Sequence, residues 1–121
     1  GQGYVFLYPS GEVASIVVGG ANWAWPQDVE EVADLVQGAG ALLLQREIPE
    51  HVNEALAKAA QEHNVPVMQD IGGEDRPISD TMLRCCTYVS PNKPELERLT
   101  GMPVGTEEQV VAAARSLQSR G

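Results

Sequence analysis

The sequence predicts an α/β fold, three layers α-β-α around a mainly parallel sheet, with an N-terminal β-hairpin. Three observations predict it. Apolar runs of strand length near residues 41–44, 65–69 and 87–90 alternate with helical segments, and strands separated by helices imply right-handed crossovers and parallel pairing. The first of these runs, Ala41-Leu42-Leu43-Leu44, is continuously apolar, as in a strand covered on both faces. Residues 4–8 and 13–18 are β-type runs joined by Pro9-Ser10-Gly11-Glu12, a spacing and chemistry suited to a hairpin with a type I turn.

Each element has a local reason. After the hairpin, Gly19-Gly20-Ala21-Asn22 turns the chain, although a Gly pair can also let backbone approach a ligand. Trp23 and Trp25 suit packing; exposed together they would form a sticky patch. Pro26 fits the first turn of a helix whose apolar positions are Val29, Val32, Ala33 and Val36, and Gly38 and Gly40 end it. Strand 41–44 runs out into Gln45-Arg46-Glu47-Ile48-Pro49. A helix over residues 50–63 follows, with Val52, Ala55, Leu56, Ala59 and Ala60 as its stripe, and Asn64 stops it. Pro66 is tolerable in the strand at 65–69 only at its start or on a sheet edge. Asp70 closes that strand, and residues 71–77 form a loop. Ser79 caps a short helix through residue 83 or 84. The strand at 87–90 and a helix from Lys93 to about Leu99 come next. Thr106-Glu107-Glu108-Gln109 is a capping box opening a last helix with Val110, Val111, Ala114 and Leu117 inward.

Composition narrows the function classes. The 121 residues suffice for one modest domain. A net charge of −9 argues against nucleic acid or an anionic membrane surface, but not against a nucleotide, which needs only a local cradle of N–H groups and a cation. Cys85 and Cys86 are adjacent, which disfavours a disulfide between them and points to a reducing, intracellular (cytoplasmic) setting. No apolar run approaches membrane-spanning length, and there is no signal-peptide pattern or internal repeat.

Three strand ends carry polar groups: Glu47, Asp70, and Asn92 with Glu95. Regular crossovers place all three at the carboxyl edge of the sheet, where open α/β sheets bind ligands. The last of them lies in residues 88–101, YVSPNKPELERLTG. Pro91 turns Ser90 away from helix, Asn92 can cap the next helix, and Pro94 is harmless in its first turn. Asn92 and Glu95 alone make a capping box. A cap and a site are compatible here, because the cap sets the turn that presents the carboxylate.

Ser90-Pro91-Asn92-Lys93-Pro94-Glu95, followed by Leu99-Thr100-Gly101, resembles the N-x-x-E motif of the ribokinase-type sugar kinases of the PfkB carbohydrate kinase family. The resemblance extends along the chain, through Gly20-Ala21-Asn22, the Leu-rich strand ending in Gln45-Arg46-Glu47-Ile48-Pro49, and the strand ending at Asp70. It implies a partial ribokinase-like, Rossmann-type fold and transfer of the ATP γ-phosphoryl to a sugar hydroxyl, with D-ribose giving D-ribose 5-phosphate as the favoured substrate. It further implies that Glu47 binds sugar hydroxyls, Asn92 lies by the nucleotide phosphates, and Glu95 helps hold Mg²⁺ through water. Asp70 has a supporting role: it stands where ribokinases usually have Asn, and Asp70-Ile71-Gly72-Gly73 departs from their pattern. Implied ligands are a sugar, ATP and Mg²⁺, with a monovalent cation a further candidate in the intact protein.

No Gly-Ala-Gly-Asp segment, which supplies the family's catalytic base and anion hole, occurs in the sequence, so no catalytic residue is expected in this chain. The family's early Gly-Gly sugar motif and most of its lid are also missing. The chain, 1–121, therefore reads as a single partial domain from the middle of such a kinase, inactive alone, with its Gly1 and Gly121 ends as cuts. The alternatives are a small non-catalytic α/β module that binds a nucleotide or protein, and a kinase of this family acting on another sugar or a nucleoside. Self-association through exposed sheet edges or the Trp23/Trp25 face is expected.

Overall fold

A computed structural model describes residues 1–73 and 76–121. Glu74 and Asp75, within the expected loop at 71–77, lie outside the described residues. The element order is the expected one. Strands β1 (Gln2–Leu7) and β2 (Val13–Val18) form an antiparallel hairpin, with Gln2 opposite Val18 and Leu7 opposite Val13. The Gly11 N–H donates to the Tyr8 carbonyl at 2.9 Å, and Gly11 takes φ +87°, the conformation for which a glycine is suited. Every hairpin residue is exposed, so neither face is covered by this chain.

The segment after the hairpin departs from expectation. Gly20–Trp23 is a 3-10 turn, and Pro26 precedes helical structure rather than sitting inside it. Helix α1 (Glu30–Ala33) is a single turn that tightens into a 3-10 piece at Asp34–Val36. Gln37 then turns extended (φ −58°, ψ 125°) and halts it. The apolar spacing still marks the packed side, since Val29 and Val36 are buried.

The body is a parallel sheet of order β3-β4-β5, made of β3 (Leu42–Leu44), β4 (Val67–Asp70) and β5 (Tyr88–Ser90). Leu44 pairs with Gln69, and Asp70 with Ser90, so the strands end together. Pro66 is accommodated at the start of a central strand, not on an edge: it lies just before β4, and its carbonyl accepts the Leu42 N–H at 2.9 Å.

Helices α2 (Glu50–Glu62), α3 (Asp80–Cys85), α4 (Lys93–Thr100) and α5 (Glu107–Gln118) complete the chain. Asn64, at φ +57°, ends the α2 region in the left-handed conformation that Asn tolerates. The Ser79 hydroxyl accepts the Met82 N–H at 3.0 Å, as an N-cap should. Thr106 and Gln109 form the expected capping box.

One face of the sheet, carrying Leu44, Val67 and Gln69, is buried in a core that includes Val52 and Leu56 of α2, Ile71, Met82, Leu96 and Leu117. The other face carries Leu43, Met68 and Tyr88 in register, and they are 73%, 40% and 64% exposed. Strand 41–44 is thus not covered on both faces by these residues, because alternation sends Leu43 away from the helices. The inner side of α5 is also rotated from expectation. Ala113 and Leu117 are buried, while Val111 and Ala114 are exposed. Among the described residues no helix is long and apolar enough to cross a membrane.

Candidate functional site

The sheet brings its three polar strand ends to one edge. Parallel register puts Leu44, Asp70 and Ser90 at the same ends of β3, β4 and β5, and the chain leaves each strand over that edge. A cleft of about 500 Å³ opens there, and Asn22, Glu47 and Asp70 are among the residues lining it, with Leu43 and Met68 as apolar walls.

Glu47 is the most telling of the expected residues. Its Oε2 is buried and has no hydrogen-bond partner among the described residues. A buried polar oxygen without a partner costs free energy on the order of 1–3 kcal/mol, more when charged, unless a ligand or water satisfies it. The backbone at Gly73 lies against the same carboxylate. A Cβ there would fall 2.6 Å from Glu47 Oε1, and Gly73 has φ +94°, so close approach and conformation both call for glycine.

Asp70 borders the same cleft and organises the turn that follows β4. Its Oδ1 accepts the Gly72 N–H at 2.8 Å. Glu95 is also near Gly72: a Cβ at Gly72 would lie 3.0 Å from Asp70 Oδ1 and 3.8 Å from Glu95 Oε1.

Asn92 and Glu95 form a complete capping box at the start of α4. The Asn92 Oδ1 accepts the Glu95 N–H at 3.0 Å, and Glu95 Oε2 accepts the Asn92 N–H at 2.7 Å. The Asn92 side-chain amide also donates to Glu95 Oε1 at 2.8 Å. The capping reading is thus realised in full, and it presents a carboxylate in a rigid orientation at the sheet edge. These two residues do not line the cleft that holds Glu47 and Asp70; Gly72 is the link between the two halves.

No group of three or more His, Cys, Asp or Glu side chains gathers for a metal among the described residues. The donor chemistry suits a cation that keeps its water shell and touches few carboxylates, which is the habit of Mg²⁺. Glu95, with Asp70 across Gly72, fits that pattern.

Asn22 lines the cleft, the Gly73 backbone lies against Glu47, and Arg46 is buried beside the cleft without lining it; none of them had been picked as a site residue from the sequence. Asn22 carried one signal, its place in the turn Gly19-Gly20-Ala21-Asn22. Arg46 carried none, since a charged residue beside Glu47 reads as solvated, yet it is only 2% exposed. The cysteines take no part here. Both are free, and burial, with the neighbouring Cys85 thiol adding to it, pushes Cys86 up to about 11, so its thiolate is scarce at neutral pH.

Comparisons with known proteins give the family and the fold. Residues 4–121 match the pfkB family carbohydrate kinase model. The chain is 43% identical over 123 residues to a ribokinase of Arabidopsis thaliana, which covers all of this chain and 32% of that protein. It is 28% identical over 118 residues to a deoxyribokinase of Salmonella typhi, covering 97% of this chain and 39% of that one. The solved structure of Arabidopsis thaliana ribokinase complexed with ribose and ATP superposes with a TM-score of 0.88 over 98% of this chain and 39% of its own. The chain therefore spans about a third to two fifths of the length of these relatives. A match over nearly every residue, in sequence and in fold, shows that the chain belongs to the pfkB family of carbohydrate kinases.

Proposed function

We propose that this chain forms the sugar-facing and part of the nucleotide-facing wall of a kinase that transfers the γ-phosphoryl of ATP to a primary hydroxyl of D-ribose. The observation that carries the reading is the buried, unpartnered Glu47 oxygen in the cleft shared with Asp70 and Asn22. A carboxylate can accept from two hydroxyls of a vicinal diol at once. Glu47 would therefore hold and orient the sugar, with Asp70 and Asn22 supporting it. The likeness to a ribokinase that binds ribose and ATP favours ribose over other sugars.

Asn92 would stand beside the nucleotide phosphates at the N-terminus of α4, where backbone N–H groups and the helix dipole favour anions. Glu95 would hold Mg²⁺ through water, and a monovalent cation would act elsewhere in the full chain. Bound Mg²⁺ supplies neutralisation of the charge on the transferring phosphoryl group. The residues present here bind and orient; a base for the attacking hydroxyl would come from outside these 121 residues, whose sequence holds no Gly-Ala-Gly-Asp segment. The purified chain alone should then turn over no ATP in the presence of sugar and Mg²⁺.

The setting we infer is cytoplasmic, in keeping with two adjacent free thiols. Self-association would use the open apolar surfaces, the hairpin and the Leu43, Met68 and Tyr88 row. Light scattering at high concentration should find more than a monomer.

The deciding test is calorimetric titration of the full-length kinase with ribose and 2-deoxyribose, for the native protein and Glu47→Gln. Ribose should bind, and Glu47→Gln should weaken it by roughly tenfold or more. Unchanged ribose affinity in a folded Glu47→Gln protein would remove Glu47 from the sugar site.

A further inference from the structure

We propose that Arg46 is a positioning residue for sugar binding: it staples the segment after β3 to the loop after β4 and so fixes the Gly73 backbone against Glu47. The inference rests on the assignment of Glu47 to the sugar.

Arg46 is 2% exposed, an uncommon burial for a guanidinium. Its Nη1 donates to the Arg76 carbonyl at 2.8 Å and its Nη2 to the Pro77 carbonyl at 2.9 Å. The planar fork spans two successive carbonyls, which a lysine ammonium cannot reproduce. The loop reaches back in turn. Arg76 Nη2 donates to the Ile48 carbonyl at 3.4 Å, and its Nε lies 3.2 Å from Glu50 Oε2. Segments 46–50 and 76–77 are therefore tied from both sides.

The loop's near end is what meets the site. Glu47 touches it at Gly73, where a Cβ would lie 2.6 Å from Oε1 and 2.7 Å from Cδ. Arg46 thus anchors the backbone at Arg76 and Pro77, three and four residues along the chain from the glycine that lies against Glu47. Releasing the far end frees Gly73 to drift, and Glu47 loses the wall that sets its rotamer. Small misplacements of a binding group cost affinity far out of proportion to the distance.

The test uses the full-length kinase. Arg46→Lys and Arg46→Met should raise the KM for ribose, the Met variant by roughly ten- to a hundredfold and the Lys variant by less, with the KM for ATP within about twofold of native. Gly73→Ala attacks the same contact from the loop side and should also raise the ribose KM. The Arg46→Lys/Gly73→Ala double variant should fall short of the product of the single effects, because both disturb one contact. Should Arg46→Met not fold, Arg46→Lys and Gly73→Ala carry the test. An unchanged ribose KM in folded Arg46 variants, equal rises in both KM values, or a fully multiplicative double variant would overturn the proposal. Glu47→Gln separates the two levels. If it weakens ribose and the Arg46 variants do not, only the positioning role fails; if it leaves ribose untouched, the sugar site itself is misassigned.

Discussion

Glu47 and Glu95 are two carboxylates at one sheet edge held in opposite ways. Glu95 is satisfied by its own helix start: the Asn92 N–H and the Asn92 amide donate to its two oxygens at 2.7 and 2.8 Å. Glu47 has a buried oxygen with no partner among the described residues. How each is held limits how it can be used. A carboxylate already engaged by protein donors contributes to folding and presents what remains of its charge at a fixed place, as an outer-sphere contact to a hydrated cation requires. A carboxylate left unsatisfied contributes little to the empty fold and gains most when a ligand brings donors. On the proposed assignment, Glu95 would serve structure first and ligand second, and Glu47 would reverse the order.

That contrast can be broken. Glu47→Ala should give the largest effect, roughly a hundredfold loss in kcat/KM for ribose in the full-length kinase, or about 2.7 kcal/mol of transition-state binding. Its urea midpoint should hold or rise, because the buried oxygen without a partner among the described residues is removed. A stability loss as large as the kinetic one would mean that Glu47 is structural, and the comparison would collapse.

Asn92→Ala should act on both levels. Loss of the cap and of the Glu95 anchor should cost about 1 kcal/mol in denaturant unfolding and also raise the KM for ATP. Thr106→Ala removes the equivalent cap of α5, where Thr106 accepts the Gln109 N–H at 3.3 Å, far along the chain from any proposed ligand contact. It should cost a similar ~1 kcal/mol and leave the KM for ATP where it was. If the two variants behave alike in kinetics, the Asn92 turn is a cap and nothing more.

The smallest effect concerns Cys86. With its thiol pushed up to about 11 from 9.0, only on the order of one part in a thousand is thiolate at pH 8, so iodoacetamide should label Cys86 far more slowly in the folded than in the urea-unfolded chain. The folded state favours the protonated thiol. Its contribution to stability is complete below the unfolded value of 9.0 and declines as pH rises from there through about 11. Equal labelling rates in the two states would show that the thiol is not shielded.

The parts of the site legible in sequence were those set by local chemistry. Ser90-Pro91-Asn92 followed by Glu95 specifies a turn and a cap whatever lies around them, and the structure shows that cap bond for bond. Thr106 and Ser79 were readable for the same reason. The continuous run Leu42-Leu43-Leu44 was not readable in the same way. It signals a strand, but it does not say which residue meets the helices, and here Leu43 faces away from them. Arg46 was hidden because its partners, Arg76 and Pro77, lie about thirty residues further on, and no local pattern joins them.

By itself, then, the sequence determined the order of strands and helices, the caps, and the arrival of Glu47, Asp70 and Asn92 at strand ends. Those follow from backbone preferences and hydrogen bonds within a few residues. Tertiary packing alone sets Gly73 against Glu47, places Gly72 near both Asp70 and Glu95, and buries Arg46 with its fork on the Arg76 and Pro77 carbonyls. Each of these depends on contacts between segments far apart in the chain, where packing rather than propensity selects the partner.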